Sequence, residues 1–259
     1  MLRETFIHLP GVGETAERKL WKQGCYTWDD YLASPKSYSV GSAGRELVYQ
    51  ELQNSQRALL EGQHQYFRKR LRLKNSWRAF EDFRNSTVYL DIETDGGNDP
   101  DSVTMIGLYD GKEFNALIKG ENLESFRDII SQYSTIVTFF GTGFDIPVLK
   151  RRFPDAIFDQ IHIDLHPILR KLGYRGGLKK IEAQFGIQRS EETIGLTGRD
   201  AVFLWRKYVR GSEEALDRLV AYNREDVVNL ETLMLGAFEK LKRKVLIHRQ
   251  EQLPGLELI

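Results

Sequence analysis

The run Val88-Tyr89-Leu90-Asp91-Ile92-Glu93-Thr94-Asp95-Gly96-Gly97 decides the fold. Apolar residues lead into two carboxylates at positions i and i+2, and a glycine pair ends the run. Side chains alternate between the faces of a strand, so this spacing puts Asp91 and Glu93 on one face and Leu90 and Ile92 on the other. Two neighbouring carboxylates repel each other, and an oxygen-preferring divalent cation such as Mg²⁺ or Mn²⁺ is the simplest partner. Two solvated acids at a strand end are the alternative for this stretch alone, and the remaining chain has to decide between them.

Working outward, the pattern from Thr87 is α/β. A second strand is expected near Val103–Tyr109, Asp110-Gly111 reads as a hairpin turn, and a third strand runs from Lys112 to Ile118, giving an antiparallel meander. A helix over Leu123–Ile130 precedes the β-branched run Thr135-Ile136-Val137-Thr138-Phe139-Phe140, which suits a buried central strand. The crossover helix implies that this strand pairs in parallel with an earlier one. After Ile161-His162-Ile163-Asp164 the chain reads as helical. The expected architecture is a mixed sheet flanked by helices.

The buried strand ends in Phe140-Gly141-Thr142-Gly143-Phe144-Asp145, so a third acid stands where functional groups of open α/β sheets gather. Asp145 also sits at a helix start, where aspartate caps well. A fourth acid lies on the last helix, in Tyr222-Asn223-Arg224-Glu225-Asp226, where Tyr222 and Asp226 are four apart and share a face.

In order and type, Asp91-x-Glu93, Phe144-Asp145 and Tyr222-x-x-x-Asp226 resemble the DEDDy 3′–5′ exonucleases of the ribonuclease-H-like superfamily, and most of all the YprB-like (RNase_H_2) proteins. Those proteins share the Gly176-Gly177-Leu178-Lys179 element and the Tyr222-Asn223-x-x-Asp226 helix, and the resemblance covers about residues 86 to 240. It implies a ribonuclease-H-like fold and phosphodiester hydrolysis at single-stranded nucleic-acid ends, with two Mg²⁺ or Mn²⁺ ions. It also implies that Asp91, Glu93, Asp145 and Asp226 are metal ligands and that Tyr222 positions the attacking water. An endonuclease of the same fold and a catalytically silent nucleic-acid-binding protein are the alternatives. The family's third motif usually reads Asn-Gly-x-x-Phe-Asp, and here Phe140 replaces the asparagine. Phe140 either stacks on a terminal base or extends the core. Asp164 and His166 match a family element near the site, with His166 read as structural, and Lys179 is expected to contact a phosphate.

Towards the N-terminus, Pro10-Gly11-Val12-Gly13 is a tight turn before a helix carrying Ala16, Leu20 and Trp21, which Gly24 ends; a second helix begins near Thr27. This stretch resembles a helix-hairpin-helix motif. On that resemblance Gly11 and Gly13 present backbone N–H groups to a phosphate, which tilts the expected substrate from RNA towards DNA, a purely structural packing turn being the alternative. Between the two regions, a helix capped by Ser42 and bearing Leu47, Val48, Leu52, Leu59 and Leu60 continues into the basic run Arg68-Lys69-Arg70-Leu71-Arg72-Leu73-Lys74. Trp77, Phe80 and Phe83 follow it, and basic residues interleaved with aromatics suit a nucleic-acid backbone, a solvated face with packing aromatics being the alternative. The expected organisation is a helix-hairpin-helix-like segment (1–34), a helical connector (35–85), a ribonuclease-H-like domain (86–245) and a tail (246–259).

Composition is compatible with all of this. With 37 basic and 37 acidic residues there is no net charge, so a polyanion has to be met by local patches rather than by a global field. A single cysteine, Cys25, excludes internal disulfides and cysteine-based zinc clusters and suits the cytoplasm.

Overall fold

The structure is a computed structural model that describes residues 1–250 apart from Ser42 and Asn98. The chain divides into two compact units, Asn85–Ala237 and Met1–Arg84 together with the chain from Phe238 onward.

In the larger unit five strands form one mixed sheet. They are β1 (Thr87–Thr94), β2 (Val103–Tyr109), β3 (Phe114–Ile118), β4 (Thr135–Thr138) and β5 (Ile161–Asp164), in the order β3-β2-β1-β4-β5. β1, β2 and β3 are the expected antiparallel meander, and β4 runs parallel to both β1 and β5. Asp110 closes the β2–β3 hairpin by accepting the N–H groups of Lys112 and Glu113 at 2.8 Å. β3 therefore starts at Phe114, two residues later than the sequence suggests. β4 stops at Thr138, because the chain turns out of the sheet at Phe140, whose φ is +66°. The helix expected from Leu123 opens as a 3-10 turn and becomes α-helical at Phe126–Ile130.

The strand alternation read from the sequence holds. Leu90 and Ile92 enter a core with Phe126, Ile130, Leu149 and Phe153 on one face of the sheet. On the other, Met105 and Ile118 pack with Leu204, Trp205, Leu219 and Tyr222 from the helices Gly198–Tyr208 and Glu213–Gln250. Full burial of each such side chain stabilises the fold by roughly 1.5–3 kcal/mol. Asp91 and Glu93 thus face the helix that carries Tyr222 and Asp226. That helix runs through the expected boundary at 245 to Gln250, and the rest of the expected tail lies outside the described residues.

The smaller unit is helical, with Glu14–Lys22, Trp28–Ala33, Arg45–Leu60 and His64–Arg70 as its first four α-helices. Thr27 caps the second of these in a reciprocal box with Asp30. Trp28 stacks on Phe67 with ring centroids 6.3 Å apart, and a buried Glu17–Arg78 pair (2.9 Å) ties the front helix to the segment after the basic run. Two readings left open by the sequence are decided here. Trp77, Phe80 and Phe83 are buried, so they form core and not a nucleic-acid platform. Leu47 and Leu60 are exposed, because only Val48, Leu52 and their neighbours on that helix face inward. The helix begins after Gly44, and Ser42, expected as its cap, lies outside the described residues.

Among the described residues no helix is long and apolar enough to cross a membrane.

Candidate metal centre

β1 delivers Asp91 and Glu93 to the sheet face covered by the last helix, and one turn of that helix delivers Asp226. One carboxylate oxygen from each of these three residues lies within 4.8 Å of the others. Asp145 is the first residue of the helix Asp145–Arg152, after Phe144 as its N-cap. Its Oδ1 accepts the Ile92 N–H at 3.2 Å, which brings the carboxylate beside Asp91.

Gly107 explains how the helix comes close enough. It pairs with Asp91 across β1 and β2. A Cβ there would strike the Asn223 side chain and stand 2.9 Å from Val227 Cγ2. In the space left by the missing side chain, Asn223 Nδ2 donates to Asp91 Oδ2 (3.1 Å) and Glu93 Oε1 (3.3 Å).

All four carboxyls are pushed above their ordinary range, with loss of water as the first cause. Asp91 retains some solvent access, but Asp145, Glu93 and Asp226 add their repulsion to its desolvation. Glu93 rises to about 8 through burial and the Asp226 charge, relieved by Asn223, and burial takes Asp145 to about 7. Asp226 is raised by burial against the opposing pull of Arg189. Such a donor set, made only of oxygens and short of positive charge, fits divalent cations of the Mg²⁺ or Mn²⁺ type.

Tyr222 lies one turn before Asp226. It accepts a hydrogen bond from Lys179 Nζ at 3.0 Å and is itself hydrogen-bonded to Asp226. Burial and the surrounding acids push its phenol well above the ordinary value, so it stays protonated. Lys179, expected at a phosphate, is turned inward: its ammonium also donates to the Leu196 carbonyl and lies 4.3 Å from the centre of the Tyr222 ring.

Phe140 is 53% exposed, which removes the core reading. Its ring meets His166 edge-on, at 5.3 Å and 84°. Asp164 is buried and sets this loop by accepting the N–H groups of Phe140 (2.9 Å), Thr142 (3.0 Å) and His166 (3.0 Å).

In the other unit, Gly11 (φ +76°) and Gly13 line a pocket of about 480 Å³ together with Arg70, Arg72 and Lys74. Lys74 is paired with Glu14 (2.8 Å) and Arg70 with Glu51 (3.3 Å).

Four participants escaped sequence reasoning. Gly107 had a signal, a glycine inside an otherwise bulky strand, which marks close approach of another group. Asn223 stood inside a quoted motif without a role. Glu182 and Arg189 had none, because the last-helix residues they bond, Asn229 and Asp226, lie 47 and 37 residues away from them.

The model of the RNase_H_2 family, of the RNase_H superfamily, matches residues 88–237. The chain belongs to the RNase_H_2 family. The match takes in β1, the loop after β4 and the Tyr222–Asp226 helix turn, so all four acids fall within it. Membership supports a nuclease acting on nucleic acid. None of the curated proteins matches the chain. Among solved structures, the family B DNA polymerase of the hyperthermophilic archaeon Pyrobaculum calidifontis resembles it at 19% identity with a TM-score of 0.49, over 65% of this chain and 26% of the polymerase chain. This chain therefore spans about a quarter of that polymerase's length.

Proposed function

We infer that this protein is a YprB-like, DEDDy-type 3′–5′ exonuclease that hydrolyses phosphodiester bonds at single-stranded nucleic-acid ends. The observation that carries this reading is the meeting of Asp91, Glu93 and Asp226 within 4.8 Å, with Asp145 beside them and Tyr222 on the same helix face as Asp226. Asp91, Glu93 and Asp226 would hold one divalent cation, and Asp91 with Asp145 a second. When bound, two such cations supply Lewis-acid stabilisation of the attacking and leaving oxygens and lower the pKa of the attacking water.

The chain's own groups then divide the remaining work. Asn223 holds the Asp91 and Glu93 carboxylates at a fixed separation. Tyr222 orients the water rather than deprotonating it, since its phenol keeps its proton and is held between Lys179 and Asp226. Phe140, exposed beside the site, offers a face on which a terminal base stacks. The glycine turn at Gly11 and Gly13, with Arg70, Arg72 and Lys74, offers amides and cations to backbone phosphates, and for that turn DNA is preferred to RNA. In this reading residues 1–34 are the helix-hairpin-helix-like segment, 35–85 a connector and 86–245 the nuclease domain.

The test is degradation of matched 5′-labelled DNA and RNA strands in Mg²⁺ or Mn²⁺, beside Asp91→Asn. Stepwise shortening of the labelled strand is expected, with Asp91→Asn slower by about a hundredfold or more, as the loss of several kcal/mol of charge stabilisation implies. A single internal cut would show an endonuclease. No degradation by the wild type, or full activity in Asp91→Asn, would remove the catalytic reading.

A further inference from the structure

Arg189 is the most heavily engaged cation of the site, yet the chemistry above does not use it. It follows the helix Leu178–Gln184, and its side chain is only 6% exposed. Its fork grips Glu182 at both oxygens, Nε to Oε2 at 2.7 Å and Nη2 to Oε1 at 2.6 Å. The same Nη2 donates to Asp226 Oδ1. Glu182, 1% exposed, is held in turn by Asn229 Nδ2 at 3.1 Å, and Asn229 lies one turn beyond Asp226 on the last helix. Asp226 is thereby clamped from two sides, by Arg189 at Oδ1 and by the Tyr222 hydroxyl.

A purely structural purpose explains this poorly. Burying an ion pair costs desolvation that apolar residues of similar volume avoid, so such a pair is weak as a stabilising device. Arg189 Nη1 is also buried with no hydrogen-bond partner among the described residues, a further cost. Glu182 and Arg189 together are neutral, so the pair does not change how much positive charge the acid cluster calls for. What it changes is freedom. A guanidinium already locked by Glu182 fixes the rotation of the Asp226 carboxylate, while a planar fork holds its direction as an ammonium does not.

We propose that Arg189, braced by Glu182, is a positioning residue that fixes the Asp226 carboxylate for a divalent cation. The proposal rests on the metal-site reading above and adds a group to it that touches neither cation nor substrate. It makes a prediction opposite in sign to simple electrostatics. Removing a cation next to a metal ligand should, by Coulomb's law alone, leave metal binding unchanged or tighten it. Loss of an orienting partner instead weakens binding by about ten- to a hundredfold.

The experiment is a calorimetric titration of MnCl₂ into the substrate-free full-length protein, with thermal unfolding followed in EDTA. Wild type is expected to bind Mn²⁺. The double variant Glu182→Gln/Arg189→Met, which leaves net charge unchanged, is expected to lose about ten- to a hundredfold in affinity for one ion while its unfolding midpoint in EDTA is retained. Arg189→Lys, which keeps the charge but not the fork, is expected to show the same weakening and guards against a double variant that fails to fold. Unchanged or tighter binding in the double variant, or wild-type affinity in Arg189→Lys, overturns the positioning role and leaves the nuclease reading intact. No Mn²⁺ binding by the wild type overturns the metal reading itself, and this proposal with it.

Discussion

At Phe140 the backbone is held at φ +66°, in the left-handed region where asparagine is enriched and a bulky residue is strained. The asparagine usual at this place in the motif thus has a backbone reason, and the phenylalanine found here accepts strain in order to show its ring to solvent. Phe140→Asn is expected to raise thermal stability by about 1 kcal/mol, as relief of strain at one residue allows. It is expected at the same time to weaken binding of a single-stranded oligonucleotide by roughly 1–3 kcal/mol through lost stacking. Scanning calorimetry beside fluorescence anisotropy checks both, and a variant that loses stability and gains affinity contradicts the account. Gly107 offers the opposite test, since there the absence of a side chain is what matters. Gly107→Ala should cost about 1–3 kcal/mol by overpacking and should suppress nuclease activity, because the added carbon stands 2.9 Å from Val227 Cγ2 and displaces Asn223. Denaturant unfolding measures the first effect and strand degradation the second.

Elements matter here through their ends. β1 carries two acids on one face, β4 stops so that the chain can turn back to Asp145, and β5 ends in Asp164, which ties down that turn. Three backbone N–H groups converge on one buried carboxylate, so Asp164 fixes the shape of the loop after β4 although it is not among the clustered acids. Asp164→Ala would leave these donors without their partner at a cost of about 1–3 kcal/mol for each one that stays buried. An unfolding midpoint lowered by several degrees is expected, along with faster hydrogen exchange at Phe140, Thr142 and His166, and unchanged exchange there would contradict it. The last helix acts as a ruler. Tyr222, Asn223, Asp226 and Asn229 stand within two turns, and each has a partner outside the helix.

For the whole molecule, the acid cluster ties stability to pH and to divalent ions. A carboxyl whose pKa is raised in the fold contributes its stability below its ordinary value and loses it as pH rises through the folded value. For Asp145 and Glu93 that window runs from about 4 up to about 7 and about 8 respectively. In EDTA the unfolding midpoint is therefore expected to fall between pH 5 and pH 8.5, and Asp91→Asn, with one charge fewer to crowd the cluster, should flatten that fall. Mn²⁺ should restore stability more at pH 8 than at pH 5.5, since at low pH protons compete for the same oxygens. Differential scanning fluorimetry at the two pH values decides it, and an equal ion effect at both would contradict a metal-binding cluster.

The sequence by itself determined the α/β character, the meander, the placing of Asp91 and Glu93 opposite Leu90 and Ile92, and the identity of the clustered acids. The first three rest on local periodicity, which a strand or helix reads out over a few residues, and the last on the resemblance of the ordered motifs to the ribonuclease-H-like exonucleases. Tertiary structure decided what periodicity cannot carry. It brought Asp145 to the Ile92 N–H beside Asp91, buried Trp77, Phe80 and Phe83, exposed Phe140 and turned Lys179 inward. It also brought Arg189 and Glu182 to Asp226, across a chain separation in which no local pattern survives. Burial of an aromatic and the partner of a charge depend on which elements pack together, and only the folded chain contains that information.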